Sequence, residues 1–329
     1  MTALAALIQW VALASLVALI GAAAVDLFVL PSGVAEIDAA RRPLRHWTGV
    51  NVVALVVASV GHLLIRTRTM SGGDLGTIVT AMPSVLTHTH FGTIWIARFT
   101  ALAAVAVVWP VSSKLARPVI FLLAAGLGLT TTLTGHASDW GDFSVSTLVD
   151  YGHVLGAGIW MGGLFALALV IFPRVSGWPD ALIATVVRRF SRLAGLCLAL
   201  VVLSGTYNAW AQVRVWTALW TTTYGRVLLA KIVFVLVVAA LGAVNRFAIL
   251  PGFAGRSWLV AHVTRTMSHV TATTPSASSQ HLRARLVRYV AAEAALGLVI
   301  LLCTGVLTET TPGRHAIRMQ HQGHSSAQD

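Results

Sequence analysis

Residues 148–172 read LVDYGHVLGAGIWMGGLFALALVIF, and Asp150 is their only acidic or basic residue apart from His153. Such a run is too apolar for a surface helix. It is also long enough to cross a hydrocarbon layer of about 30 Å, which takes about 20 residues of α-helix. Seven other runs share this character, so the candidate spans are approximately 3–30, 47–65, 93–112, 118–135, 148–172, 193–212, 226–245 and 287–307. In lipid each backbone amide must be satisfied within its own segment, so all eight are predicted helices. The predicted fold is all-α: a polytopic membrane helix bundle with eight transmembrane helices.

Composition agrees. Of 329 residues, 57% are hydrophobic and 10% charged, with a mean hydropathy of +0.80. Soluble domains carry about a quarter charged residues. The shortfall excludes an ordinary cytosolic enzyme, a disordered chain and a nucleic-acid binder. The formal charge of +12 reads as topology, because 15 of the 23 Lys and Arg fall in, or at the edge of, the loops after helices 1, 3, 5 and 7. Positive loops stay inside. Both termini and the loops 2–3, 4–5 and 6–7 are therefore expected on the outer face of the membrane. No Lys or Arg precedes helix 1 and its apolar stretch exceeds a signal h-region, so it reads as a retained span. Residues 1–312 are expected to form one domain and 313–329 a flexible tail. The stretch 256–270 mixes Trp258, Leu259 and Met267 with Arg265 and reads as a short helix on the inner leaflet. A polar connector follows at 273–279.

A faint internal repeat accompanies the spans. Phe91-Gly92 precedes Arg98 at the spacing with which Tyr224-Gly225 precedes Lys231, and Gly21 and Pro31 are spaced like Gly163 and Pro173. Two four-helix halves in the same orientation would explain both.

The chemistry sits on the histidines. His62 lies near the outer end of helix 2, His88 and His90 in loop 2–3, His136 at the outer end of helix 4, and His153 at the start of helix 5 behind Asp150. Four separate segments thus bring imidazoles to the face that charge counting makes outward. Neutral imidazole is a strong ligand for copper and zinc, and a carboxylate helps neutralise the ion. His88 and His90, two apart on an extended segment, would point the same way. Asp150 and His153 are i,i+3 helix neighbours, so the carboxylate could bind metal or orient the ring. Taken singly, each His reads as an interfacial polar cap and Asp150 as a helix-terminus charge. Together they point to one metal site.

Below His153, Ala157, Trp160 and Met161 form one helical stripe, in which Met161 could pass a soft ion inward or simply fill the core. Asp26, Arg98, Asn208, Lys231 and Asn245 are polar groups within the spans. Asp26, Arg98 and Lys231 either face the bundle interior or a pathway, or, in the plainer reading, snorkel to the headgroups; Asn208 is expected to bond across helices. Cys197 and Cys303 read as core residues. His315, Met319, His321 and His324 in the tail could collect metal loosely or be merely solvated. No phosphate-binding loop, zinc-protease motif or nucleophile triad is present, so an enzyme is not expected.

Several pieces resemble the copper resistance protein D (CopD/PcoD) family. They are Thr134-Gly135-His136-Ala137, Asp150-Tyr151-Gly152-His153, Ile159-Trp160-Met161-Gly162-Gly163-Leu164, Arg189-Phe190-Ser191-Arg192, Ser204-Gly205-Thr206-Tyr207-Asn208-Ala209, Thr223–Lys231 and Asn245-Arg246. The resemblance is clearest over about 130–250. It implies an inner-membrane protein of copper handling working with a periplasmic copper-binding partner of the CopC type on a separate chain. It also implies metal roles for His136, Asp150 and His153; His62, His88, His90 and the tail are added from topology.

The expectation is thus a copper transport or homeostasis protein, binding Cu(I) or Cu(II) at the outer face and moving it toward the cytoplasm. Two rivals stand beside it. One is a b-type haem electron carrier using His62, His136 and His153, with His46 at the inner side. The other is a membrane partner or sensor that presents copper without moving it.

Overall fold

The computed structural model describes residues 2–71, 75–111, 113–135, 141–213, 215–251 and 277–310. All secondary structure among them is helical, with no strand. The helices are α1 (Thr2–Ala24), α2 (Ala35–Ser71), α3 (Leu75–His88), α4 (His90–Val108), α5 (Ala116–Leu133), α6 (Val145–Ala166), α7 (Asp180–Val213), α8 (Ala218–Thr221), α9 (Thr223–Val244) and α10 (Ala277–Glu309). Wider π turns extend α1 over Val25–Val29, α6 over Leu167–Ile171 and α9 over Asn245–Ile249.

Seven described helices are long and apolar enough to cross a membrane: α1, α2, α4, α5, α6, α9 and α10. The remaining expected span, 193–212, is the second half of the 34-residue α7. Many large apolar side chains face outward, among them Val53, Val57, Val60 and Leu64 on α2 and Leu229, Val233 and Val237 on α9. An apolar exterior this extensive suits lipid, not water. The chain is a multi-pass membrane protein.

α1 is apolar all round and lies at the centre. It packs against α6, α2, α10 and α5, burying Leu16, Leu19 and Ile20 completely. Its contact with α6 is made by glycines: a Cβ on Gly162 would sit 1.8 Å from the Val17 carbonyl oxygen.

The two halves of the chain repeat each other's devices. Thr89 caps α4 by accepting from the Gly92 amide at 2.9 Å, and Thr222 caps α9 by accepting from the Gly225 amide at 3.0 Å. In each case a preceding helix, α3 or α8, runs so close that a Cβ on the glycine would clash with its backbone. Arg98 and Lys231 follow these glycines at equal spacing. The π turns after α1 and α6 likewise stand at equal distances from Gly21 and Gly163.

Several expectations need correction. The loop between the second and third spans contains α3, so His88 ends one helix and His90 begins the next; they are not two positions of one extended segment. His62 lies more than two turns from the end of α2, and His153 more than two turns inside α6. Asp26 and Arg98 do not reach for headgroups. Arg41 Nε donates to Asp26 Oδ1 at 2.8 Å, and Arg117 lies 3.7 Å from its other oxygen. Arg98 is only 7% exposed. Its guanidinium donates to Ser59 Oγ at 3.1 Å, Thr130 Oγ1 at 3.2 Å and Thr131 Oγ1 at 3.0 Å, and it stacks on Trp95. Partners inside the bundle satisfy these charges more fully than an interface would. His136, the 256–270 segment, most of the 273–279 connector and the tail residues His315, Met319, His321 and His324 lie outside the described residues.

Candidate functional site

One end of the bundle holds a cavity of about 510 Å³. It is lined from the starts of α1, α6 and α9 and the ends of α2, α5, α7 and α10. This is the end that charge counting turns outward. Four expected residues line it: His62 from α2, Asp150 and His153 from α6, and Asn208 from α7. Lys231, at the headgroups in the plainer reading, also lines it, with Arg66 and Glu309.

α6 supplies the core of the site. Ser144 caps the helix by accepting from the Thr147 amide at 3.1 Å, and Gly141 takes a left-handed turn just before it, at φ 101°. Asp150 and His153 then fall in the second and third turns, facing α7. Glycines on α6 let α7 approach: a Cβ on Gly156 would lie 3.3 Å from Leu200 and Val201.

The hydrogen bonds across this seam fix both side chains. Asp150 Oδ1 accepts from Asn208 Nδ2 at 2.9 Å, so Asn208 does bridge two helices. His153 Nδ1 lies 3.1 Å from Ser204 Oγ. The Ser204 hydroxyl donates to the Leu200 carbonyl at 2.5 Å, so it accepts from the ring. The imidazole therefore carries its proton on Nδ1 and its lone pair on Nε2, the form in which histidine binds a metal. Lys231 is near enough to Asp150 for the two charges to interact, but no ion pair within 4.0 Å joins them among the described residues.

His62 is differently engaged. Its Nε2 accepts from Arg66 Nε at 3.2 Å, Arg66 Nη2 donates to Glu309 Oε1 at 3.3 Å, and the ring stands edge-on to Trp95. Metal binding through that nitrogen would require Arg66 to leave. His88 is exposed and bonded to Thr87 Oγ1, and His90 pairs with Asp142 at 3.1 Å; neither lines the cavity. Trp160 and Met161 are buried in the core below it. Among the described residues no group of three or more His, Cys, Asp or Glu side chains is close enough to hold a metal. Gly135, which lines the cavity, directly precedes His136 in the chain.

Sequence reasoning missed Arg66, Glu309 and Glu293. Arg66 is spaced i,i+4 from His62, which was a legible signal. Glu293 is the only acidic residue of the apolar run 287–307 and belongs with the intramembrane polar groups.

Comparison with known proteins bears on what the cavity serves. Over 220 residues the chain is 33% identical to the copper transport protein CutJ of Bacillus subtilis (strain 168), covering 61% of this chain and 39% of that protein. Over 229 residues it is 28% identical to the copper resistance protein D of Pseudomonas syringae pv. tomato, covering 64% of this chain and 71% of that one. The chain thus spans well under half the length of the Bacillus relative. No solved structure matches it. Residues 1–143 match the copper resistance protein D-like N-terminal domain, and residues 184–307 match copper resistance protein D itself. With both halves matched in order, the chain belongs to the copper resistance protein D family.

Proposed function

We propose that the protein takes up copper at the cavity and carries it inward across the inner membrane. Relatives named for copper transport and copper resistance support the cargo. The observation that carries the site is the paired fixation of His153 and Asp150, a ring with its lone pair on Nε2 beside a carboxylate held by Asn208. His153 Nε2 and Asp150 are the first two ligands in this reading, and His136 is the third. α7 serves as the eighth crossing, and the cavity opens to the periplasm, where a copper-binding protein of the CopC type would deliver the ion. The predominance of Lys and Arg in the loops at the opposite end supports that orientation.

Lys231 has a part in this scheme. In the empty cavity its ammonium offsets the Asp150 charge, and an arriving copper ion takes over that role. The empty site is thereby kept near neutrality, which limits the cost of charge in a low-dielectric surrounding.

The test is stoichiometry followed by flux. Purified protein is expected to bind one copper ion per chain, and H153A and D150N are expected to lose it. Retained binding in both variants would overturn the site. Sealed liposomes containing only this chain should accumulate copper; liposomes that bind the ion without accumulating it would leave a presenting partner, not a carrier.

A further inference from the structure

Glu293 lies midway along α10, only 4% exposed. Its Oε1 accepts a short hydrogen bond from Asn245 Nδ2, at the start of the π turn that extends α9. The Asn245 side chain is itself buried, at 8% exposed, and its Oδ1 has no hydrogen-bond partner. On the side of Oε2 stands Gly242, which carries no side chain. The carboxyl is thus held through one oxygen by an amide donor, while the oxygen of that same amide is buried without a donor of its own.

No positive side chain pairs with Glu293 among the described residues. The elements packed on α10 explain why. α1 carries no charged residue, and neither does the π turn after α6. On α6, Asp150, Tyr151 and His153 belong to the cavity end. On α9, Tyr224 and Lys231 line the cavity and Arg226 is exposed. Arg246, on the π turn, donates to the Ser191 carbonyl. On α10 itself, Arg285 and Arg288 lie toward the other end and Tyr289 is half-buried one turn away. Among the described residues an ionised carboxylate so placed has no counter-charge, a costly state in lipid. Holding a proton or a cation relieves that cost.

Its position relative to the cavity matters as much. One turn outward on α10, Gly297 meets the Met161 sulfur, to which a Cβ there would come within 3.0 Å. Met161 lies eight residues, about 12 Å, down α6 from His153. The cavity, the Met161 thioether and the Glu293–Asn245 pair therefore succeed one another along the bundle.

We infer that Glu293 is a proton-exchanging carboxyl on the inward path, occupied by a proton when the path is empty and by the cation as it passes. This rests on the transport reading above. In the exchange the carboxylic O–H bond breaks, the proton leaves to bulk water, and the carboxylate takes Cu(I) in its place. One monovalent cation replaces another, and nothing is oxidised or reduced.

The experiment uses the full chain in liposomes and dicyclohexylcarbodiimide, a lipid-soluble reagent that adds to protonated carboxyls, with the adduct located by mass spectrometry. Glu293 is expected to carry the adduct, E293Q to carry none at that position, and Cu(I) to lower labelling about tenfold. E293Q should still bind one copper ion per chain, showing an intact fold and outer site, while its copper uptake is lost. An unlabelled Glu293, labelling that Cu(I) leaves unchanged, or wild-type uptake by E293Q would each overturn the inference. Failure of the copper reading is distinguishable, because the wild-type protein would then bind no copper at all.

Discussion

Gly21 of α1 and Gly162 of α6 meet backbone to backbone: a Cβ on Gly21 would lie 1.9 Å from the Gly162 carbonyl carbon. No side chain can be accommodated there without parting the two central helices, and α6 carries Asp150 and His153. Small residues at a crossing are what let membrane helices gain close van der Waals contact. Gly21→Ala and Gly162→Ala are each expected to destabilise the protein by about 3 kcal/mol, the upper end of typical overpacking costs. Gly126→Ala is the control, since nothing lies within 4 Å of its added carbon. Thermal unfolding in detergent checks the difference; equal stability of all three variants would show that α1 and α6 do not cross at these glycines.

A second expectation concerns the ring of His153. Ser204 stands behind it, donating a hydrogen bond to the Leu200 carbonyl and accepting one from Nδ1. Ser204→Ala removes that acceptor and lets the ring choose its tautomer and rotate. Such outer partners of a metal-binding histidine are worth about 10–100-fold in affinity. Copper affinity of S204A is therefore expected to fall by about that factor with stoichiometry unchanged. A competition titration against a chromophoric chelator measures it. Wild-type affinity in S204A would mean that His153 does not bind through Nε2.

How far the sequence carries depends on which coordinate is asked for. Apolar run length predicts how deep a residue lies, and the runs at 3–30, 47–65 and 148–172 all fall on helices long enough to cross. It does not predict which way a residue faces around the helix. Asp26 and Arg98 could therefore be read as reaching the headgroups, although both have partners inside the bundle. The shared face of Asp150 and His153 was legible because i,i+3 spacing alone determines it. Their partners Asn208 and Ser204 come from another helix more than fifty residues away, and no local spacing encodes that pairing. The π turns were invisible for a similar reason, since Val25–Val29 and Leu167–Ile171 are ordinary apolar stretches whose widening is imposed by their neighbours.

Arg98 offers a sharper test of what a buried cation does in this half of the chain. It has no carboxylate partner within 4.0 Å among the described residues; instead three hydroxyls from α2 and α5 and the face of Trp95 surround it. Lysine has the charge without the planar fork, so it cannot reach Ser59 and both threonines at once. Hydrogen bonds to a charged group contribute about 1.5–3 kcal/mol each. Arg98→Lys is expected to lower stability by about that amount, the loss of one such bond. Chemical denaturation in mixed micelles checks it, and a variant as stable as the parent would show that charge alone, not geometry, matters at this position.

At the end of the bundle opposite the cavity, Arg41 and Arg117 share Asp26, and their contributions should be unequal. Arg41 is 8% exposed and lies 2.8 Å from Asp26 Oδ1; it also binds Asp38 and the Pro31 carbonyl, so that it ties the π turn after α1 to the start of α2. Arg117 is 21% exposed and stands 3.7 Å away. Removing one partner of a buried pair costs about 3–5 kcal/mol, whereas a solvent-accessible pair contributes about 0–1 kcal/mol. Asp26 is itself one-fifth exposed and would retain Arg117, so Arg41→Gln is expected near the lower figure, about 3 kcal/mol, and Arg117→Gln below about 1 kcal/mol. The double variant should lose more than the two single losses combined, because only then is Asp26 left with no cation at all. A double-mutant cycle on unfolding free energies measures this coupling, and strict additivity would mean that the two arginines do not compete for one carboxylate.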